Sequence, residues 1–272
     1  MNQPKQENAM EDAAAMIERI AGLFHEADMP RLADAGLYLG IPYQSLAEIH
    51  DALSAQRSED DNKKFRNRMR YAGIFKERTE HTFKWDGNTY PCMGPGLIEQ
   101  ALSLGFIRQQ KNLVMAGPPG VGKTLLAVII ACKALRAGFS VKYKTAHDIV
   151  TELREARSGN SLSGYIKKIR SCDVLVIEDI TFSTPEIETA QAFFSIIDKR
   201  YDRKSTIITT NGNIKEWIGD FPDKRMCGAL LGRISEESIF LNMNEAEDMR
   251  AKRAEGMLES ACGNVVRTRK EM

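Results

Sequence analysis

The chain has 272 residues, 43% of them apolar and 28% charged, with a formal net charge of +1. That length suits one large domain or two, and the near-neutral balance excludes a whole-molecule field that would draw the protein onto nucleic acid, so any such binding has to come from local patches. Five scattered cysteines (Cys92, Cys132, Cys172, Cys227, Cys262) make neither a disulfide framework nor a zinc-ligand spacing, which leaves reduced thiols as the reading.

The opening stretch, MNQPKQENAMEDAAAMIERI, mixes acids and amides where a secretory signal needs an apolar core. The most apolar run, Leu125 to Cys132, is too short to span a bilayer. A soluble, cytoplasmic protein without membrane contact is expected. Residues 1–85 read as a small all-α N-terminal domain. Met16, Ile20, Leu23 and Phe24 recur at helical spacing, and Leu46, Ile49 and Leu53 repeat the pattern after the break at IPYQS.

Within that domain a basic helix is expected over 61–78, DNKKFRNRMRYAGIFKER, where seven Lys or Arg stand against two acids. On a helix Phe65, Met69 and Ala72 share one face and Arg66 and Arg70 another. Two readings stay open: an amphipathic helix whose charges are merely solvated, or a surface on which Lys63, Lys64, Arg66, Arg68 and Arg70 contact DNA phosphates non-specifically. The Gly- and Pro-dense string WDGNTYPCMGPG that follows reads as a linker or turn.

From there the pattern alternates through residues 86–246. Strands are expected at 112–117, 140–145, 173–179, 205–210 and 238–243. Helices lie between them, one running from Lys123 to about Ala137. Another places Ala190, Phe193, Phe194, Ile197 and Tyr201 on one face. Strands apolar through their centres and separated by helices imply an α/β fold with a parallel sheet covered on both faces. Residues 247–272 form a mixed-charge tail.

Directly after the first strand stands GPPGVGKT: Gly117, Pro118, Pro119, Gly120, Val121, Gly122, Lys123 and Thr124. It fits G-x-x-x-x-G-K-[ST] in its required strand-to-helix context. The glycines let backbone N–H groups converge on an anion, and the following helix N-terminus adds partial positive charge. Lys123 suits the β- and γ-phosphates, and the Thr124 hydroxyl suits Mg²⁺. This predicts an ATP site.

The strand VLVIED, 174–179, ends in two carboxylates, Glu178 and Asp179, which fit the metal and the attacking water. P-loop ATPases place Asp first and Glu second. The reversed order shifts each carboxylate by about 1 Å, a misplacement that can cost about 10²-fold in rate, so weak hydrolysis is expected beside intact binding. STIITTN ends in Asn211, which either orients the water or belongs to an Asn-Gly turn. Arg233, just before the last strand and without a local partner by spacing, is either an arginine finger for a neighbouring subunit or a surface residue.

GPPGVGKT, VLVIED, STIITTN and ALLGRI, in this order and spacing, resemble the AAA+ ATPases of the IstB/DnaC family. DNKKFRNRMRYAGIF resembles that family's basic helix ahead of the ATPase. The stretch at 145–169 resembles the insertion of the initiator and helicase-loader branch. The resemblance implies a five-stranded sheet of order 5-1-4-3-2 in a P-loop AAA+ core. It implies head-to-tail homo-oligomers with ATP between subunits, and DNA gripped by the assembly. By motif position it makes Glu178 the magnesium acid, Asp179 the catalytic acid, Asn211 the first sensor and Arg233 the finger; Arg250 is a candidate second sensor. The N-terminal stretch IAGLFHEADMPRLADAGLYLG resembles the transposition-helper branch, whose partner is a transposase. The alternative is a helicase-loader-type adaptor that uses ATP as a switch and holds a replicative helicase. A small-molecule kinase calls for an Arg-rich acceptor lid, which 146–170 does not resemble.

Overall fold

The computed structural model describes residues 3–83, 90, 93–180, 187–211, 223–236, 238–246 and 248. Arg250, the tail beyond Asp248, the Gly212 turn and most of the expected 86–96 linker lie outside the described residues. The chain divides into two compact units, one up to Asn67 and one from Arg68 onward.

The first unit is helical. Helix α1 (Gln3–Glu26) brings Met16, Ile17 and Ile20 together with Tyr38 and with Leu46 of α2 (Tyr43–Ala72), and Ile49 and Leu53 pack against the same cluster. The helical spacing singles out Met16, Ile20, Phe24, Leu46, Ile49 and Leu53 of this cluster; Ile17 and Tyr38 join it, and Leu23 is not part of it. Helix α2 buries Phe65, Met69 and Ala72 as expected and leaves Lys63, Lys64, Arg66 and Arg70 exposed. It stops at Ala72, short of the expected end at Arg78. Gly73 takes φ +88°, and the bonds Gly73 N–H to Arg70 O and Ile74 N–H to Met69 O close the helix with an apolar residue beyond the glycine.

The second unit is built on a five-stranded parallel sheet of order β2-β3-β4-β1-β5, the expected order read from the other edge. Helices α3 (Pro95–Leu102) and α4 (Gly105–Arg108) lead into β1 (Asn112–Ala116). Then come α5 (Lys123–Arg136), β2 (Val141–Thr145), α6 (Ala146–Ser158), α7 (Leu162–Ser171) and β3 (Val174–Glu178). Helix α8 (Ile187–Arg200), β4 (Ser205–Thr210), α9 (Lys224–Ser235) and β5 (Ser238–Asn242) complete it.

The central strands are buried along their length: Val174 to Ile177 and Ile207 and Ile208 are solvent-free. Covered on both faces, they read as unbroken apolar runs rather than alternations. Helix α6 starts at a capping box between Thr145 and Asp148.

At the end of the sheet where β3 and β4 begin, Arg200 is 1% exposed. Its guanidinium donates to Arg170 O (3.1 Å), Cys172 O (2.8 Å), Asp173 O (3.3 Å), Ser205 O and Thr206 Oγ1 (3.2 Å). One side chain thus ties the end of α7 to the starts of two strands. Cys132, Cys172 and Cys227 are free and buried, as reduced thiols should be. Among the described residues no helix is long and apolar enough to cross a membrane.

Candidate functional site

Parallel strands that end together bring their loops together, and ligands collect at that edge of an open α/β sheet. Here β1 runs into the glycine loop, β3 into the acid pair and β4 into Asn211. A cavity of about 810 Å³ opens there, lined by Pro119, Gly120, Gly122, Lys123, Thr124, Tyr143, Glu178, Asp179, Thr209 and Asn211. Gly73 to Lys76 and Arg78 form another wall. That volume suits a nucleotide-sized ligand.

The loop glycines differ in task. Gly120 (φ +88°) and Gly122 (φ +98°) supply the left-handed turns, and Gly122 is the N-cap of α5. Gly117 answers to packing: a Cβ there would stand 2.7 Å from the Met243 carbonyl carbon and oxygen, just past β5. Lys123 is 6% exposed and donates to Gly117 O (2.6 Å) and Pro118 O (2.7 Å), so its ammonium is held under the loop it follows. Tyr90, buried with its hydroxyl on Val121 O at 2.9 Å, anchors the loop from outside. The stretch read as a linker therefore includes a packed residue. The 73–82 segment is strapped to α5 by Arg136 to Glu77 at 2.5 Å and by Lys133 to Glu80.

The two acids have separate surroundings. Glu178 is the last residue of β3, and its Oε1 accepts from Thr124 Oγ1 and its Oε2 from Tyr143 OH at 2.9 Å. Burial foremost, and then the neighbouring Glu178 carboxylate, push the Tyr143 phenol well up, so it stays a donor. Asp179 lies beyond the strand in the left-handed region (φ +54°), a conformation Asp tolerates better than most residues. Its N–H donates to Thr209 Oγ1 at 2.9 Å, the next N–H donates to Thr209 O, and its Oδ1 accepts from Asn211 Nδ2 at 2.5 Å. The turn at 179 directs the second carboxylate toward Asn211 and lets both acids line one cavity, where strand alternation alone would send them to opposite faces.

Thr124 and Glu178 meet as two hard oxygen donors at the foot of an anion cradle. Magnesium is held in this way, by one or two protein oxygens beside substrate phosphates and waters. The donor set fits.

Two expected residues have partners that sequence spacing did not reveal. Arg233 is paired with Asp198 (Nε to Oδ1, 2.8 Å), donates to Ala229 O at 3.1 Å, and lies 5.1 Å from the centre of the Phe194 ring. The Asp198 partner is not local in sequence: α8 and α9 bring together residues 35 apart. It precedes β5, whose first residue, Ser238, pairs with Asn112 at the start of β1. Arg233 is therefore at the opposite edge of the sheet from this chain's own phosphate loop. Arg68, a DNA candidate, donates to Phe139 O at 2.9 Å, while Lys64 lies 3.8 Å from Asp61. Tyr143 and Thr209 were not singled out from sequence. Once β2 is placed beside β3 with Thr145 opposite Glu178, period-two alternation puts Tyr143 on the acid's face.

A model of the family described as IstB-like ATP binding protein matches residues 43–256. The chain is similar to the ATP-binding protein of insertion sequence IS232 from Bacillus thuringiensis subsp. berliner, 36% identical over 171 residues, or 63% of this chain and 68% of that one. It is similar to that of insertion sequence IS5376 from Geobacillus stearothermophilus, 28% identical over 88% of this chain and 96% of that one. Among solved structures it is similar in fold to AMPPCP-bound DnaA from Aquifex aeolicus, with a TM-score of 0.53 and 20% identity over 68% of this chain and 56% of that one. It is also similar in fold to DnaI, with a TM-score of 0.52 and 17% identity over 61% and 90%.

Proposed function

This chain belongs to the IstB-like ATP-binding protein family, with a P-loop AAA+ core behind a helical N-terminal region, and on that footing we propose that it is an ATPase that assembles with copies of itself on DNA and assists a transposase in handling target DNA. The observation that carries this reading is the convergence of Lys123, Thr124, Glu178, Asp179 and Asn211 on one cavity at the ends of β1, β3 and β4.

In this reading the N–H groups from Gly120 to Thr124 cradle the phosphates, and Lys123 exchanges its loop carbonyls for the β- and γ-phosphate oxygens. Thr124 and Glu178 would hold magnesium, which would offset the charge that builds on the transferred phosphoryl group. Asp179 accepts the proton of the attacking water, and Asn211, already bonded to that carboxylate, orients the water. Arg233 lies too far from its own loop to serve it, since the five residues of β1 at about 3.3 Å each separate the two ends of the sheet. In this reading it acts on a neighbour's γ-phosphate, its guanidinium exchanging the contacts with Asp198 and the Phe194 ring for that anion. Lys63, Arg66 and Arg70, exposed on α2, offer the phosphate-contacting surface for DNA. The transposase partner is supported by the insertion-sequence relatives.

The test is steady-state phosphate release with and without duplex DNA, beside light scattering in ATP and in ADP. DNA-stimulated turnover that Lys123→Ala abolishes, with an ATP-dependent larger species, supports the reading. Tight ATP binding without turnover in either condition points instead to a switch adaptor of the helicase-loader kind. Absence of ATP binding rejects both.

A further inference from the structure

We propose that Tyr143 is a positioning residue for Glu178, the second restraint that lets a glutamate stand at a metal post where an aspartate is the shorter and stiffer choice. The proposal rests on the reading that Thr124 and Glu178 hold magnesium.

A glutamate carries one more rotatable bond than an aspartate and reaches about one methylene further, so one contact leaves its carboxylate free to swing. Here each oxygen is engaged by a hydroxyl from a different strand or helix. Thr124 at the start of α5 donates to Oε1, and Tyr143 in the middle of β2 donates to Oε2 at 2.9 Å. The two bonds divide the acid's work. The Thr124–Glu178 contact joins the two oxygens that a cation would share. The Tyr143 bond is on the other oxygen and can persist when a cation is held.

The tyrosine is itself fixed. Parallel pairing sets Tyr143 opposite Val176 and Thr145 opposite Glu178, which places the phenol and the carboxylate on one face of the sheet. The segment after α2 packs against its backbone: a Cβ at Gly73 would lie 2.7 Å from the Tyr143 carbonyl oxygen. A ring so placed delivers its hydroxyl to one location, as outer-shell hydrogen bonds to metal-ligating carboxylates do.

The experiment measures metal affinity directly, by manganese titration followed by electron paramagnetic resonance in the presence of a non-hydrolysable ATP analogue. Tyr143→Phe keeps the ring and removes the hydroxyl. It is expected to weaken manganese binding about tenfold, while metal-free affinity for the analogue and the melting temperature stay close to wild type. Glu178→Asp, too short to reach both hydroxyls, weakens binding on its own, and adding Tyr143→Phe to it costs nothing more. Wild-type manganese affinity in Tyr143→Phe, or full additivity with Glu178→Asp, overturns the proposal while leaving the metal site standing. Failure of wild-type protein to bind manganese with the analogue, or a Thr124→Ala variant that binds it normally, overturns the underlying reading and the proposal together.

Discussion

Replacing Arg200 by methionine removes a cation of similar length from a site that is 1% exposed. The guanidinium supplies hydrogen bonds to four backbone carbonyls and one hydroxyl at the end of α7 and the starts of β3 and β4. Each buried acceptor left unmet costs about 1–3 kcal/mol, but neighbouring losses are not additive. Several neighbouring acceptors left unmet together make about 3–5 kcal/mol the expected destabilisation. For a unit of this size 1 kcal/mol corresponds to about 2–4 °C, so the melting temperature should fall by roughly 10 °C. Arg200→Lys should recover little of it, because one ammonium cannot reproduce the planar fork that reaches both strands. The assay is thermal unfolding beside ATP-analogue binding well below the transition, where affinity should be near wild type because the phosphate loop is untouched. A melting temperature within about 2 °C of wild type would refute the claim that this side chain clamps the strand starts.

Gly117→Ala should lower stability by about 1–3 kcal/mol, as overpacking does, since its methyl would meet the Met243 backbone at 2.7 Å. ATP-analogue affinity should fall with it, and an unchanged melt would show that the end of β5 yields freely. The Asp173 carboxyl, which burial raises, is brought down to about 2 overall by Lys204 and by Ser140's hydroxyl and N–H. With a folded value below the ordinary 3.8, its contribution to stability is present above about pH 4 and is lost as pH falls toward 2. The gap between wild-type and Asp173→Asn urea midpoints should therefore be constant near neutrality and shrink below pH 4; a gap independent of pH would contradict this.

What was legible in the sequence was local. The five strands stand within a residue or so of their expected spans; β1, β3 and β4 are covered on both faces and buried almost throughout, whereas the edge strands β2 and β5 are only partly buried and β2 carries two lysines. GPPGVGKT identifies itself because its glycines answer to backbone angles and its Lys and Thr to one ligand chemistry. Contacts between distant segments were not legible. Asp198 and Phe194 fall beside Arg233 only once two helices pack. Tyr143 in VKYKT is an edge-strand aromatic whose tie to Glu178 shows only once β2 is set beside β3. Gly73, in YAGIF, carried the stop for α2, yet the charge run continuing to Arg78 suggested more helix.

The reversed acid order takes on a different meaning once donors are assigned. By length alone, a glutamate in the first position and an aspartate in the second displace both carboxylates from their usual places. The backbone and the partners act against that displacement at each position. Glu178, the longer side chain, is held between two hydroxyls, one of them reaching across from β2. Asp179, the shorter, is advanced by the left-handed turn at its own residue and steadied by Thr209 behind it and Asn211 beside it. A carboxylate given hydroxyl donors on both oxygens is suited to a fixed metal post, whereas one bonded on a single oxygen to an amide keeps a free oxygen for water. Restoring the usual order with Glu178→Asp and Asp179→Glu would therefore break both sets of contacts at once.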